Sequence, residues 1–91
     1  MNPSRKGDLA EHYAITFLWD HGFEVYKNAG CSGPIDILAF KEGEVYLFDI
    51  KHKESTLRWG HRRTPDQKKM GVQILEFNAA TRKLRLVEHR E

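Results

Sequence analysis

Two largely apolar runs, Ile35–Phe40 and Val45–Lys51, flank the tetrapeptide Lys41-Glu42-Gly43-Glu44. Short apolar runs joined by a glycine-containing turn read as a β-hairpin, and its register constrains much of the remaining chain. With a loop of two residues (Glu42-Gly43) or four (Lys41–Glu44), Asp36 falls directly opposite Asp49. Side chains alternate along a strand, so Lys51 shares the face of Asp49. A three-residue loop with a glycine bulge would instead send the two aspartates to opposite faces.

Carboxylates facing each other across a strand pair repel, and burying them adds a cost that something must offset. Asp36 interrupts Ile35-Ile37-Leu38-Ala39-Phe40, and Asp49 sits between Phe48 and Ile50, so neither has a polar setting of its own. A divalent cation is the simplest compensation. Hard oxygen donors with no cysteine beside them favour Mg²⁺ or Mn²⁺ over zinc. The structural alternative places both aspartates at strand ends in water, with Lys51 as an ordinary surface partner.

Around the hairpin, Ser4–His21 reads as a helix, with Ala10, Ala14, Phe17, Leu18 and His21 on one stripe and Gly22 as its stop. Glu11 flanks that stripe, and a helix covering the sheet would let it point towards the carboxylate pair. Phe23–Tyr26 alternates like a strand, and Asn28–Pro34 is a turn-rich loop. His52 to Thr64 reads as a long polar loop, a length that points to function. Thr64 and Pro65 then read as the N-cap and first residue of a short helix ended by Gly71, and Thr64-x-x-Gln67 matches a capping box. Val72–Phe77 and Leu84–Val87 complete a last pair of strands. The reading is a single small α/β domain over residues 1–91, a mixed β-sheet with flanking helices in the order αβββαββ.

A chain of 91 residues supports one thin core, which association in a symmetric dimer would help. The segment Met1–Gly7 is polar and without a signal-like apolar core, and no apolar run is long enough to span a bilayer. With one cysteine, Cys31, the chain has neither an internal disulfide nor a cysteine-based zinc site. These features suggest a cytoplasmic setting with no membrane partner. Between Lys51 and Lys69, seven basic residues stand against Glu54 and Asp66, a formal +5; the whole chain is +2, so the remainder is −3. Concentrated positive charge suits a polyanion, because each neutralised phosphate releases counterions. A solvated surface loop is the plainer reading of the same charges.

The arrangement Pro34-Ile35-Asp36, hairpin, Asp49-Ile50-Lys51 resembles the PD-(D/E)XK nuclease superfamily, with one residue inserted between the proline and the aspartate. Gly7-Asp8-Leu9-Ala10-Glu11, Gly22-Phe23-Glu24-Val25 and Gly33–Ala39 resemble successive motifs of its Holliday-junction resolvase-like branch. Gln67 resembles a glutamine of many members, including VRR-NUC-type nucleases. The resemblance runs over roughly residues 4–78 and implies a restriction-endonuclease-like core.

It further implies metal-dependent hydrolysis of DNA phosphodiesters, in a chain compact enough to favour DNA structure over DNA sequence. Asp36 and Asp49, with Glu11 and the Ile50 carbonyl, would hold one or two Mg²⁺ or Mn²⁺ ions, and Lys51 would orient water or stabilise the transition state. Gln67 serves either as a capping residue or near the phosphate. Lys53, Arg58, Arg62, Arg63 and Lys68 would touch backbone phosphates of branched, nicked or single-stranded DNA. Trp59 either stacks on a base or packs as a lid on the core, while His52, His61 and Cys31 are left outside the site. Cutting both strands of a junction implies a homodimer. The competing function is a nucleic-acid-binding module that keeps the fold without catalysis.

Overall fold

The computed structural model describes residues 3–30, 32–53 and 62–88. Its elements are α1 (Pro3–Asp20), β1 (Glu24–Lys27), β2 (Ile37–Lys41), β3 (Glu44–Lys53), α2 (Pro65–Met70), β4 (Gln73–Asn78) and β5 (Lys83–Leu86). The element order is the one read from the sequence.

Between β2 and β3, Glu42 and Gly43 take φ values of 53° and 80°. Positive φ at both central residues marks the two-residue turn whose twist matches a hairpin. Register follows from it: Lys41 pairs with Glu44, Ala39 with Tyr46 and Ile37 with Phe48. Asp36 stands one residue before β2 yet is tied to both neighbouring strands. Its amide donates to the Phe48 carbonyl and its carbonyl accepts from the Asn28 amide, each at 2.9 Å.

The sheet runs β1-β2-β3-β4-β5. Its β3–β4 pair is parallel and all other pairs are antiparallel. Parallel neighbours need a crossover, and α2 lies on it. β3 runs to Lys53, so His52 and Lys53, which the sequence suggested were loop, are strand residues. Pairing with Phe77 and Asn78 of β4 supplies the hydrogen-bond partners that extend the strand beyond its apolar run.

α1 lays Ala14 and Leu18 against Ile37, Ala39, Phe48 and Leu75, with Ala10 buried on the same stripe. The stripe is narrower than expected from periodicity. Phe17 and His21 are exposed, their rings 4.2 Å apart between centroids. Alanines at the contact let the helix sit close to the sheet, which keeps its flanks in water. Gly22 (φ 87°) ends α1 in a Schellman arrangement, its amide donating to Trp19 and that of Phe23 to Leu18. Among the described residues no helix is long and apolar enough to cross a membrane.

Because Phe48 faces α1, alternation turns Asp49, Lys51 and Lys53 to the opposite face, on the side of α2. This division of faces positions the candidate site.

The turn can be tested directly. Nothing lies within 4 Å of a Cβ placed on Gly43, so Gly43→Ala is opposed only by its left-handed backbone. We expect a loss of about 1 kcal/mol in urea unfolding, and a gain of a few tenths for Glu42→Asn, which tolerates positive φ better. Equal stability of all three proteins would contradict the turn assignment.

Candidate functional site

Asp49 occupies a strand position where an apolar residue would ordinarily sit, and it is 7% exposed. Its burial is supported by two donors that converge on Oδ2: Gln67 Nε2 at 2.9 Å and Lys51 Nζ at 3.3 Å. Gln67 is itself buried and uses its whole amide. Nε2 also donates to the Pro34 carbonyl at 3.0 Å, while Oε1 accepts from the Thr64 amide at 2.9 Å. Thr64 Oγ1 completes the capping box by accepting from the Gln67 amide. Gln67 therefore caps α2, the first of its two readings, and the same side chain reaches the aspartate.

Asp36 meets the site from the entrance to β2, its Oδ2 accepting from the Ile50 amide at 2.7 Å. Burial, above all, and the neighbouring Asp49 push its carboxyl up from the ordinary 3.8 to about 6, with a smaller push from Glu11; the Ile50 amide pulls the other way. When protonated, Asp36 donates to the Asp49 carboxylate. The two aspartates thus adjoin as the hairpin register required, although Asp36 lies just outside the ladder.

An open cleft of about 590 Å³ brings Glu11, Asp36, Asp49, Ile50, Lys51 and Gln67 together. Glu11 arrives by a different route from the one expected. α1 covers the face away from Asp49, and Glu11 reaches the cleft where the chain enters β2, beside Gly33 and Pro34. Sequence reasoning missed the Pro34 carbonyl, which holds Gln67, and Asp66, which lines the rim. A loop carbonyl leaves no signal in residue type.

The donor set suits a hard divalent cation. Two adjoining carboxylates, one of them resisting ionisation, form a place where added positive charge is favoured. Among the described residues no three Asp, Glu, His or Cys side chains are gathered closely enough to hold an ion unaided. The aspartates would need the Ile50 carbonyl, water or a phosphate oxygen to complete a shell.

The basic residues spread more widely. Lys53 ends β3 with Nζ 3.9 Å from Glu76, Arg62 and Lys68 are exposed, and half-buried Arg63 donates to the Val72 carbonyl at 3.3 Å. None of these four lines the cleft. Arg58, Trp59, His61 and Cys31 lie outside the described residues.

Comparison with known proteins agrees with this geometry. Residues 2–59 match the family model described as archaeal Holliday junction resolvase (Hjc). A UPF0102 protein of Helicobacter hepaticus is 39% identical over 57 residues, an overlap of 60% of this chain and 52% of the relative. The chain thus spans about half the length of that curated relative. A solved bacterial homing endonuclease, I-Ssp6803I, superposes with a TM-score of 0.73 at 20% identity, covering 94% of this chain and 64% of that one. Together they show a PD-(D/E)XK-like nuclease fold, the small α/β domain expected from the sequence.

Asp36 ties stability to pH. Its folded pKa lies above the ordinary value, so the stability it contributes is complete below pH 3.8 and is lost as pH rises through about 6. Asp36→Asn mimics the protonated form at every pH. We expect it to stabilise the protein at pH 7.5 by about 1–2 kcal/mol, after discounting for solvent access, and to lose that advantage near pH 4. Melting curves at the two pH values check this. A variant less stable at pH 7.5 would contradict the crowded-carboxylate account.

Proposed function

This chain belongs to the archaeal Holliday junction resolvase (Hjc) family, and on that premise we propose that it is a metal-dependent endonuclease that hydrolyses DNA phosphodiester bonds. The observation that carries the reading is the adjoining Asp36–Asp49 pair with Lys51 and Gln67 in one cleft. A purely structural sheet gains nothing from two carboxylates at such a position.

Asp36 and Asp49 would hold Mg²⁺ or Mn²⁺, with the Ile50 carbonyl and water completing the shell and Glu11 adding negative charge to the same cleft. When bound, the ion supplies charge neutralisation at the scissile phosphate and a more acidic water. Lys51, held by Asp49, presents its ammonium to the phosphate oxygens and stabilises the charge that grows in the transition state. Gln67 fixes the Asp49 carboxylate by donating to one oxygen, which orients the other. Lys53, Arg58, Arg62, Arg63 and Lys68 would bind backbone phosphates, giving affinity without sequence reading.

Selection by DNA structure, with a branched or nicked substrate, is the reading that membership of a junction-resolvase family supports. Cleaving two strands of a junction requires two sites, so the working unit is a symmetric dimer. Exposed Tyr26, Phe40 and Val45, on the sheet face away from α1, support association.

The test is cleavage of supercoiled plasmid, linear duplex, single strands and a synthetic four-way junction, in EDTA, Mg²⁺ or Mn²⁺. Wild type is expected to cut only with metal, and Asp49→Asn and Lys51→Ala to slow cutting by about 100-fold or more. A wild type that binds DNA and cuts nothing in either metal would make the protein a binding module. Undiminished cutting by both variants would remove the cleft from the mechanism.

A further inference from the structure

A second group of charges stands on the same sheet face as Asp49, farther along β3 and across β4 and β5. Register sets Lys51 beside Glu76 and Lys53 beside Asn78, and on the other side sets Arg85 beside Glu76 and Lys83 beside Asn78. Directly paired residues project to one face, so all four cations share the side of Asp49. Beneath them Glu76 is 3% exposed, its Oε1 lying 3.1 Å from Arg85 Nη2 and 3.9 Å from Lys53 Nζ. Lys53, Lys83 and Arg85 border a cavity of about 360 Å³ whose floor includes Glu76 and Asn78.

A buried carboxylate needs a partner, and one cation is enough for neutrality. Here two cations, Arg85 and Lys53, meet it, and a third, Lys83, borders the same cavity. The anion lies inside while the Arg85 side chain is 59% exposed, so an incoming anion meets positive charge first. Glu76 also restrains Lys53 and Arg85, which lowers the entropy cost when they bind. Asn78 shapes the far wall by accepting from the Ala80 and Thr81 amides. Asp49, Lys51 and Lys53 follow one another at two-residue steps, which puts this cluster about 13 Å from the aspartates along the strand. That reach corresponds to several nucleotides.

We propose that Lys53, Lys83 and Arg85 form a second backbone-phosphate site, which holds the nucleic-acid strand several nucleotides from the bond to be cut. The proposal rests on the reading of the protein as a DNA nuclease. It adds Lys83 and Arg85 to the DNA-binding surface and makes Glu76 a positioning residue.

The experiment measures affinity of the full chain for a fluorescent four-way junction in EDTA, from 50 to 200 mM salt. Lys83→Gln and Arg85→Gln are compared singly and together, with melting curves to establish folding. Arg85→Gln removes a partner of buried Glu76, so Lys83→Gln, which does not, secures the test if the former unfolds. The slope of log affinity against log salt is expected to become shallower by about 0.9 for each phosphate that is no longer neutralised. The difference from wild type should vanish on junctions whose arms are trimmed to reach only the cleft. An unchanged slope in folded Lys83→Gln and in the folded double variant would overturn the second site while leaving the nuclease reading intact. A wild type with neither binding nor cleavage of any DNA would overturn both.

Discussion

The Gln67 amide joins α2 to the two segments that carry the aspartates. Its Nε2 donates to the Asp49 carboxylate on β3 and to the Pro34 carbonyl in the loop before β2, and its Oε1 accepts from the Thr64 amide at the start of α2. α2 has only six residues, too few to hold together as an isolated helix. Its capping box and the buried bond to a charged acceptor, worth about 1.5–3 kcal/mol, keep it against the sheet. The cleft therefore has a fixed wall on the α2 side, and Asp49 has a fixed orientation.

That orientation brings a conflict into the open. Lys51 and Gln67 hold the Asp49 carboxylate beside Asp36, and burial, with Asp49 as a lesser cause, makes Asp36 resist losing its own proton. The fold keeps this unfavourable pair in an accessible cleft when two apolar side chains would pack with less strain. Local destabilisation of this kind, confined to a few titratable groups, is what proteins concentrate at functional sites, and it supports the proposed assignment of this one. In a chain with a PD-(D/E)XK-like nuclease fold it is the feature on which the proposed cation-dependent cleavage rests.

What was legible in the sequence is what neighbouring residues decide. The Glu42-Gly43 turn sets the hairpin register, and that register brings Asp36 to Asp49. Thr64, Pro65 and Gln67 carry the start of α2, and Gly22 the end of α1, because caps are satisfied within a few residues. Features that depend on distant strands were not legible. Lys53 is a strand residue because Asn78 pairs with it, Phe17 stays in water because Ala10 and Ala14 bring α1 close to the sheet, and Glu11 lines the cleft although its helix packs on the face opposite Asp49. Glu76 interrupts an apolar strand just as Asp49 does, a signal that residue type alone carries. Its partner Arg85 could be recognised only once β5 was paired with β4.

The central claim is that Asp36 and Asp49 act together as a cation site. Titrating Mn²⁺ into wild type, Asp36→Asn and Asp49→Asn at pH 7.5, with free Mn²⁺ followed by electron paramagnetic resonance, tests it without DNA or turnover. A saturable site in wild type that is abolished in each folded variant is the expected result. Absence of Mn²⁺ binding by wild type, or equal binding by all three proteins, would contradict the claim.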